Sequence, residues 1–417
     1  MTSPSTPLQP RVTGALRAVV ILLVLSVSIN YIDRGNLSIA APLLKDELGI
    51  SASQLGILLS SFFWTYAACQ ILAGWLVDRF AVNWVLAVGF FLWSIATAAT
   101  GLIHGFALLL VLRLLLGIGE SVAYPCYSKI LAAHFHEHQR GLPNALIDAG
   151  TKVGPAVGTL VGGIFMARFG WRPFFIVLGL GSLFWLPGWV KWMPHGPGIT
   201  EGHPSGIPSI PEILRRRSAW ATFFGLFCSN YFWYFLLTWL PFYLVRERHF
   251  SMALMATIGS AAYFVTATAT TVTGWLSDRF IAAGATPTRV RKTCTGAGLG
   301  GATVIVAVAW VSSPVASMMF LMLGCISYGV FASSHWAITQ TIAGPRAAGR
   351  WSGLQNFVGN LAGVTAPAIT GFVVDKTGVF FWAFAVAGGV ALAGSMVYLF
   401  LLGPVEPMVW PRRTVAP

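Results

Sequence analysis

The sequence predicts an all-α integral membrane protein, with twelve transmembrane helices in two pseudo-symmetric six-helix halves. Three observations carry this. The first is composition: of 417 residues, 56% are hydrophobic and 9% charged, and mean hydropathy is +0.73. A soluble chain carries about 25% charged residues. The second is spacing: apolar segments of about 20 residues, enough to cross a bilayer, recur along the whole chain. The third is a repeat: Gly74-Trp75-Leu76-Val77-Asp78-Arg79-Phe80 returns as Gly274-Trp275-Leu276-Ser277-Asp278-Arg279-Phe280, with six of seven positions matching at an offset of 200. Each copy closes the second apolar segment of its half, which marks the chain as duplicated.

In chain order, residues 1–17 are polar, with Pro and Thr, and read as a disordered tail. Spans are expected near 18–41, 54–77, 83–103, 106–131, 142–167 and 173–193, the N-terminal bundle (18–193). The longest polar interval, 194–218, runs from Gly, Pro and His into Arg215-Arg216-Arg217 and reads as a linker. Spans near 219–245, 252–276, 291–312, 315–341, 350–375 and 379–403 form the C-terminal bundle (219–403), and 404–417 is a tail. The first span is not a cleaved signal peptide: it is too long, its centre is charged and no small-residue cleavage site follows. With both termini inside, inner loops and tails hold sixteen Lys and Arg, outer loops six, and the spans the remaining four of the 26. Short inner loops are basic in membrane proteins, so this is the expected orientation.

The same residues exclude other classes. The net charge of +13 is spread over short loops and makes no nucleic-acid surface. Cys69, Cys126, Cys228, Cys294 and Cys325 are far apart in apolar runs, without metal or disulfide spacing. Gly296-Ala297-Gly298-Leu299-Gly300-Gly301 matches a dinucleotide-binding pattern but lies in an apolar span with no preceding strand. It reads as helix-packing glycine. There is no nucleotide-phosphate loop, metal-ligand cluster or nucleophile–base spacing, so neither an ATP-driven pump nor an enzyme is expected, and no cofactor or metal.

What remains is a set of charges inside the spans. The acids are Asp33, Glu120 and Asp148; the bases at comparable depth are Arg34, Arg113 and Lys152. Lys129, near the inner end of span four, can snorkel to the interface. Each intramembrane charge costs roughly 2.5–3.5 kcal/mol on insertion scales and marks a function by default. Arg34 offers a planar fork for a carboxylate, and Tyr31, three residues back, shares its face. Asp33 points about 100° away from Arg34 and reads as meeting a neighbouring span, with Arg113 the candidate partner. Arg113 and Glu120, seven residues apart, share a face of span four, and Gly117 and Gly119 allow the close packing that desolvates Glu120. Asp148 and Lys152 have the spacing of an intrahelical pair; alternatively Lys152 is a second cation for the substrate. The second half offers polar side chains instead: Ser334, His335 and Trp336 in span ten, and Gln355, Asn356 and Asn360 in span eleven. Amides both donate and accept, so these suit a hydroxyl-rich ligand or tie helices together.

The paired Gly-x-Leu-x-Asp-Arg loops, Arg113-Leu-Leu-Leu-Gly117-Ile-Gly119 and Gly154-Pro155-Ala-Val-Gly158 resemble the major facilitator superfamily. Asn30-Tyr31-Ile32-Asp33-Arg34, with Arg113 and Glu120, resembles its anion:cation symporter branch, which includes bacterial sugar-acid transporters and vesicular carriers for sialic acid and glutamate. The resemblance covers essentially the whole chain. It implies substrate binding by Tyr31 and Arg34, protonation at Glu120 and Asp33, and gating by Asp78-Arg79 and Asp278-Arg279. Ser229 stands where vesicular relatives carry a basic residue, which argues against a vesicular-type site. The interior holds three positive and three negative charges, so one anion entering with one proton leaves it neutral. The function expected is proton-coupled import of a small organic anion, most simply a sugar acid (aldonate, aldarate or uronate). Substrate-binding candidates are Tyr31, Arg34, Lys152, Ser334, Trp336, Asn356 and Asn360. Proton-coupling candidates are Glu120 and Asp33; Arg113 and Asp148 complete the charge network. The alternatives are a proton-independent exchanger or facilitator, and a membrane sensor that binds without transporting. The partners expected are the anion, a proton and the lipid of the cell's inner membrane, around a monomer.

Overall fold

The computed structural model describes residues 14–135, 141–193 and 208–410. Most of the expected disordered tail, residues 194–207 of the linker and the last seven residues lie outside these. Twelve helical spans alternate in direction: α1 Gly14–Leu48, α2 Ala52–Arg79, α3 Val82–Thr100, α4 Phe106–Leu131, α5 Gly141–Phe169, α6 Trp171–Trp192, α7 Arg217–Arg246, α8 Met252–Ala282, α9 Pro287–Trp310, α10 Pro314–Gly344, α11 Arg350–Thr377 and α12 Phe381–Leu401. Ten of them pass a length-and-hydropathy test for crossing a membrane; α2 and α5, at 28 and 29 residues, match them in length. Several run longer than expected, α1 by seven residues beyond position 41.

Local chemistry sets the ends. Ser51 caps α2 in a box with Gln54, Ser251 caps α8, and Thr286 and Ser313 cap α9 and α10 ahead of a proline. Gly344, at φ 65°, turns α10 into α11; only glycine adopts that conformation freely. The chain after α12 also packs: Trp410 donates to the Ala343 carbonyl and the Val405 amide to Thr288.

In lipid there is little hydrophobic drive between helices, so close approach at small residues holds them together. A β-carbon at Gly117 would meet the Phe62 carbonyl of α2, and one at Gly119 would lie 3.0 Å from the Trp93 amide of α3. Gly296, Gly298, Gly300 and Gly301 abut Leu399, Phe331, Ser395 and Ser327 respectively, so the dinucleotide-like run is helix-packing glycine. Large apolar side chains such as Leu25, Trp75, Val88, Phe169 and Phe372 are exposed on the outer surface, where lipid covers them.

The halves meet toward the end that carries the α1–α2 turn. There Asp375, at the tip of α11, accepts from the Ala52 and Ser53 amides at the start of α2 (2.9 and 2.7 Å). Arg246, at the tip of α7, donates to the Pro42 carbonyl and pairs with Asp46 on α1. Deeper along the same seams, Ser260 of α8 donates to the Ala156 carbonyl of α5, and Phe63 of α2 packs on Tyr234 of α7 at 4.5 Å.

The two pseudo-equivalent helices α4 and α10 are both broken, at Val122 and at Ser333-Ser334. In α4 the break follows Glu120 directly and precedes Pro125. Interrupted helices at matching positions of two halves are where transporters build their sites.

Candidate functional site

Arg34 and Glu120 form the centre. Arg34 Nε donates to Glu120 Oε2 at 2.9 Å, and the two side chains are 3% and 0% exposed. The close packing at Gly117 and Gly119 delivers Glu120 there from α4; α1 delivers Arg34. Three rings enclose the guanidinium, Tyr31 at 4.6 Å, Phe62 at 5.2 Å and Tyr66 at 4.4 Å from its carbon. Such faces attract a cation and keep water away. Arg34 Nη2 has no hydrogen-bond partner. The fork is thus half used, with a buried donor free for an incoming anion. Asn30 lies beside Glu120 on the α1 side.

One sequence expectation is corrected here. Arg113 makes no ion pair with Asp33, although both Asp33 and Glu120 lie within its field: its guanidinium stands 5.3 Å above the Phe62 ring, and its Nε is unpartnered. Asp33 instead accepts from Thr97 of α3 (3.1 Å) and from Asn36 one turn on (3.2 Å), leaving Oδ2 unpartnered. The shared helical face of Arg113 and Glu120 is real, but Arg34 reaches Glu120 from the facing helix.

Asp148 and Lys152 form the intrahelical pair, at 2.6 Å. Asn360 ties helices together: Tyr234 donates to its Oδ1 at 2.8 Å, and its Nδ2 donates to the Asn356 carbonyl. Asn356 is half-buried beside it. Ser334 is buried at the α10 break, 3.2 Å from Ser333 and bonded toward Cys294 of α9, so it supports the break. Trp336 is half-buried and packs on His335 at 5.2 Å. Arg79, Asp278 and Arg279 are exposed at the end away from the α1–α2 turn, with Arg279 stacked on Trp275; the Asp78 side chain lies outside the described residues. Lys129 reaches the Val77 carbonyl at the end of α2.

Sequence reasoning missed Phe62, Tyr66, Tyr124 and Thr97. Phe62 and Tyr66 carry a usable signal, an i,i+4 aromatic pair on one face of a span. Tyr124, 3.5 Å from Tyr31, and Thr97 carry none, since only tertiary packing brings them in. An apolar groove of about 500 Å³ between α2, α3 and α4, lined by Leu72, Trp84 and Val88 among others, opens to lipid and holds none of these charges.

Comparison with known proteins fixes the family. The family model described as Major Facilitator Superfamily matches residues 23–367. The chain belongs to the Major Facilitator Superfamily. It is therefore a multi-pass membrane transporter and not an enzyme. Two similar proteins are a probable L-galactonate transporter of Escherichia coli K12, 29% identical over 94% of this chain and 90% of that one, and a hexuronate transporter of Bacillus subtilis 168, 31% identical over 93% and 94%. The fold is that of a bacterial homologue of the human lysosomal transporter Spinster, solved inward-facing and occupied: TM-score 0.77, 18% identity, 94% of this chain and 96% of that one.

Proposed function

We propose that this chain imports a sugar-acid anion together with a proton, across a bacterial inner membrane, by alternating access. The observation that carries the reading is the Arg34–Glu120 pair, buried and half satisfied. A substrate carboxylate can take Arg34 bidentately only if Glu120 lets go. A carboxylate released from its cation in a buried setting favours its protonated form. Anion binding and proton uptake then become one event at one guanidinium. Tyr31 and Tyr124 offer hydroxyls to the sugar, and Asn356 with Asn360 offers amides from the other half. Asp33, hydrogen-bonded and set apart from Arg34, is a second titrating site in this reading.

The contacts between halves support an assignment of state. With the basic loops and both termini taken as cytoplasmic, the joined α1–α2 end is outer, which fits the inward-open arm of the cycle. Arg79 and Arg279 stand exposed at the inner end, as latches disengaged in this state. The two named relatives carry sugar acids by their names, galactonate and hexuronate, which supports the substrate class. A thermal-shift screen of purified protein against organic acids tests it. A ligand at 100 times its Kd stabilises by about 2.7 kcal/mol. Aldonates, aldarates or uronates are expected to raise Tm; stabilisation only by neutral sugars or by cations would overturn the reading.

A further inference from the structure

Positions 148, 152, 156, 159 and 163 of α5 fall on one stripe at 100° per residue. Toward the α1–α2 end this stripe is seated on α8: Ser260 bonds the Ala156 carbonyl, Thr159 abuts Gly259 and Gly163 abuts Ala256. Continued past Ala156 the other way, it carries Lys152 and Asp148, whose side chains are 26% and 67% exposed. These two charges therefore line the opening between the halves and not the lipid. Their field reaches His335 at the α10 break of the opposite half, and that of Asp148 reaches Tyr31. Gly154 seats α5 on α1 beside Tyr31: a β-carbon there would lie 3.0 Å from that of the tyrosine.

Tyr31 thus stands beside Arg34 and within the field of Asp148, and each of the two cations is held by an acid of its own half: Arg34 by Glu120, and Lys152 by Asp148. A ligand with one carboxylate can replace one acid. A ligand with two can replace both. The second exchange is the easier, because the exposed Asp148 carboxylate stays hydrated when Lys152 leaves it, whereas Glu120 is sealed. We propose that Lys152 is a specificity-determining residue that holds a second acidic group, so that the preferred ligand is a hydroxylated dicarboxylate over the corresponding monocarboxylate. This rests on Arg34 as the seat of the first carboxylate. His335 completes the subsite from the other half. Its Nδ1 lies 3.1 Å from the Ala332 carbonyl, which can only accept. Nδ1 therefore carries a proton, and in the neutral ring Nε2 is an acceptor for a ligand hydroxyl. Stacking on Phe331 at 5.1 Å fixes the ring.

The test is calorimetric titration of the purified full chain with galactarate and with galactonate, read as the ratio of the two affinities. Wild type is expected to favour galactarate by roughly tenfold or more, the scale of one charge-assisted hydrogen bond. Lys152→Gln should lower that ratio by a similar factor, and Lys152→Arg should restore it. Asp148→Asn frees Lys152 and should raise the ratio, a gain that misfolding cannot mimic. A ratio unmoved by Lys152→Gln and Asp148→Asn, with both anions bound and binding lost in Arg34→Ala, overturns this subsite and leaves the first carboxylate seat standing. Binding of neither anion by wild type overturns both.

Discussion

Arg34 and Glu120 are worth more as a pair than apart. Both are buried, and removing one partner of a buried pair leaves an uncompensated charge, at a cost of about 3–5 kcal/mol. Glu120→Gln is expected to lower the Tm of the ligand-free protein. A bound sugar acid should recover more stability in that variant than in wild type, since it supplies the missing anion. Differential scanning fluorimetry with and without ligand checks this; equal ligand shifts in both proteins would reject the exchange at Arg34. The sequence showed which charges lie in the membrane, because an ionisable residue in an apolar run is visible by itself. It did not show who pairs with whom. Helical spacing put Arg113 and Glu120 on one face, but pairing is decided across helices, where Gly117 lets α4 press on α2 and where Phe62 stands under the Arg113 guanidinium. Asp148 and Lys152 were legible because both partners sit on one helix.

At the scale of elements, two helices against two others close one end of the molecule. Asp375 binds the amide-rich start of α2, where an anion also meets the positive end of the helix dipole. Nearby, α2 and α11 touch through glycine, and a β-carbon at Gly56 would lie 2.6 Å from the Pro367 carbonyl. Gly56→Val should therefore disfavour this closed end by about 1–3 kcal/mol, as overpacking does. That corresponds to a roughly five- to 150-fold shift in the balance of states. Cysteine labelling from the α1–α2 side should speed up in Gly56→Val; unchanged labelling with intact folding would mean that this seam does not separate on transport. The spans were legible from hydropathy, as were the repeat and the linker position. The breaks at Val122 and at Ser333-Ser334 were not, since Pro125 hints at the first and nothing local marks the second.

At the scale of the whole molecule, the proposed cycle has the two halves rock around a shared site, with the ends opening in turn. Arg79 and Arg279 recur 200 residues apart at the end opposite the described seams. Replacing either by Ala should change the turnover rate several-fold in counterflow while leaving the order of preferred anions intact; a changed order at an unchanged rate would deny them a latching role. The duplicated architecture also explains the uneven chemistry. Charges within the spans concentrate in the N-terminal half, and in the proposed site the C-terminal half supplies Asn356, Asn360 and His335, so that site is complete only at the interface.

The central claim is that the substrate anion displaces Glu120 from one guanidinium, so that anion binding and proton uptake at Glu120 go together. Uptake of a radiolabelled sugar acid into proteoliposomes, driven by an inward proton gradient, tests it most directly. Wild type should accumulate the anion above its outside concentration and lose that accumulation with a protonophore, while Glu120→Gln should exchange the anion in counterflow without accumulating it. Accumulation that survives collapse of the proton gradient, or that Glu120→Gln retains, would contradict the account.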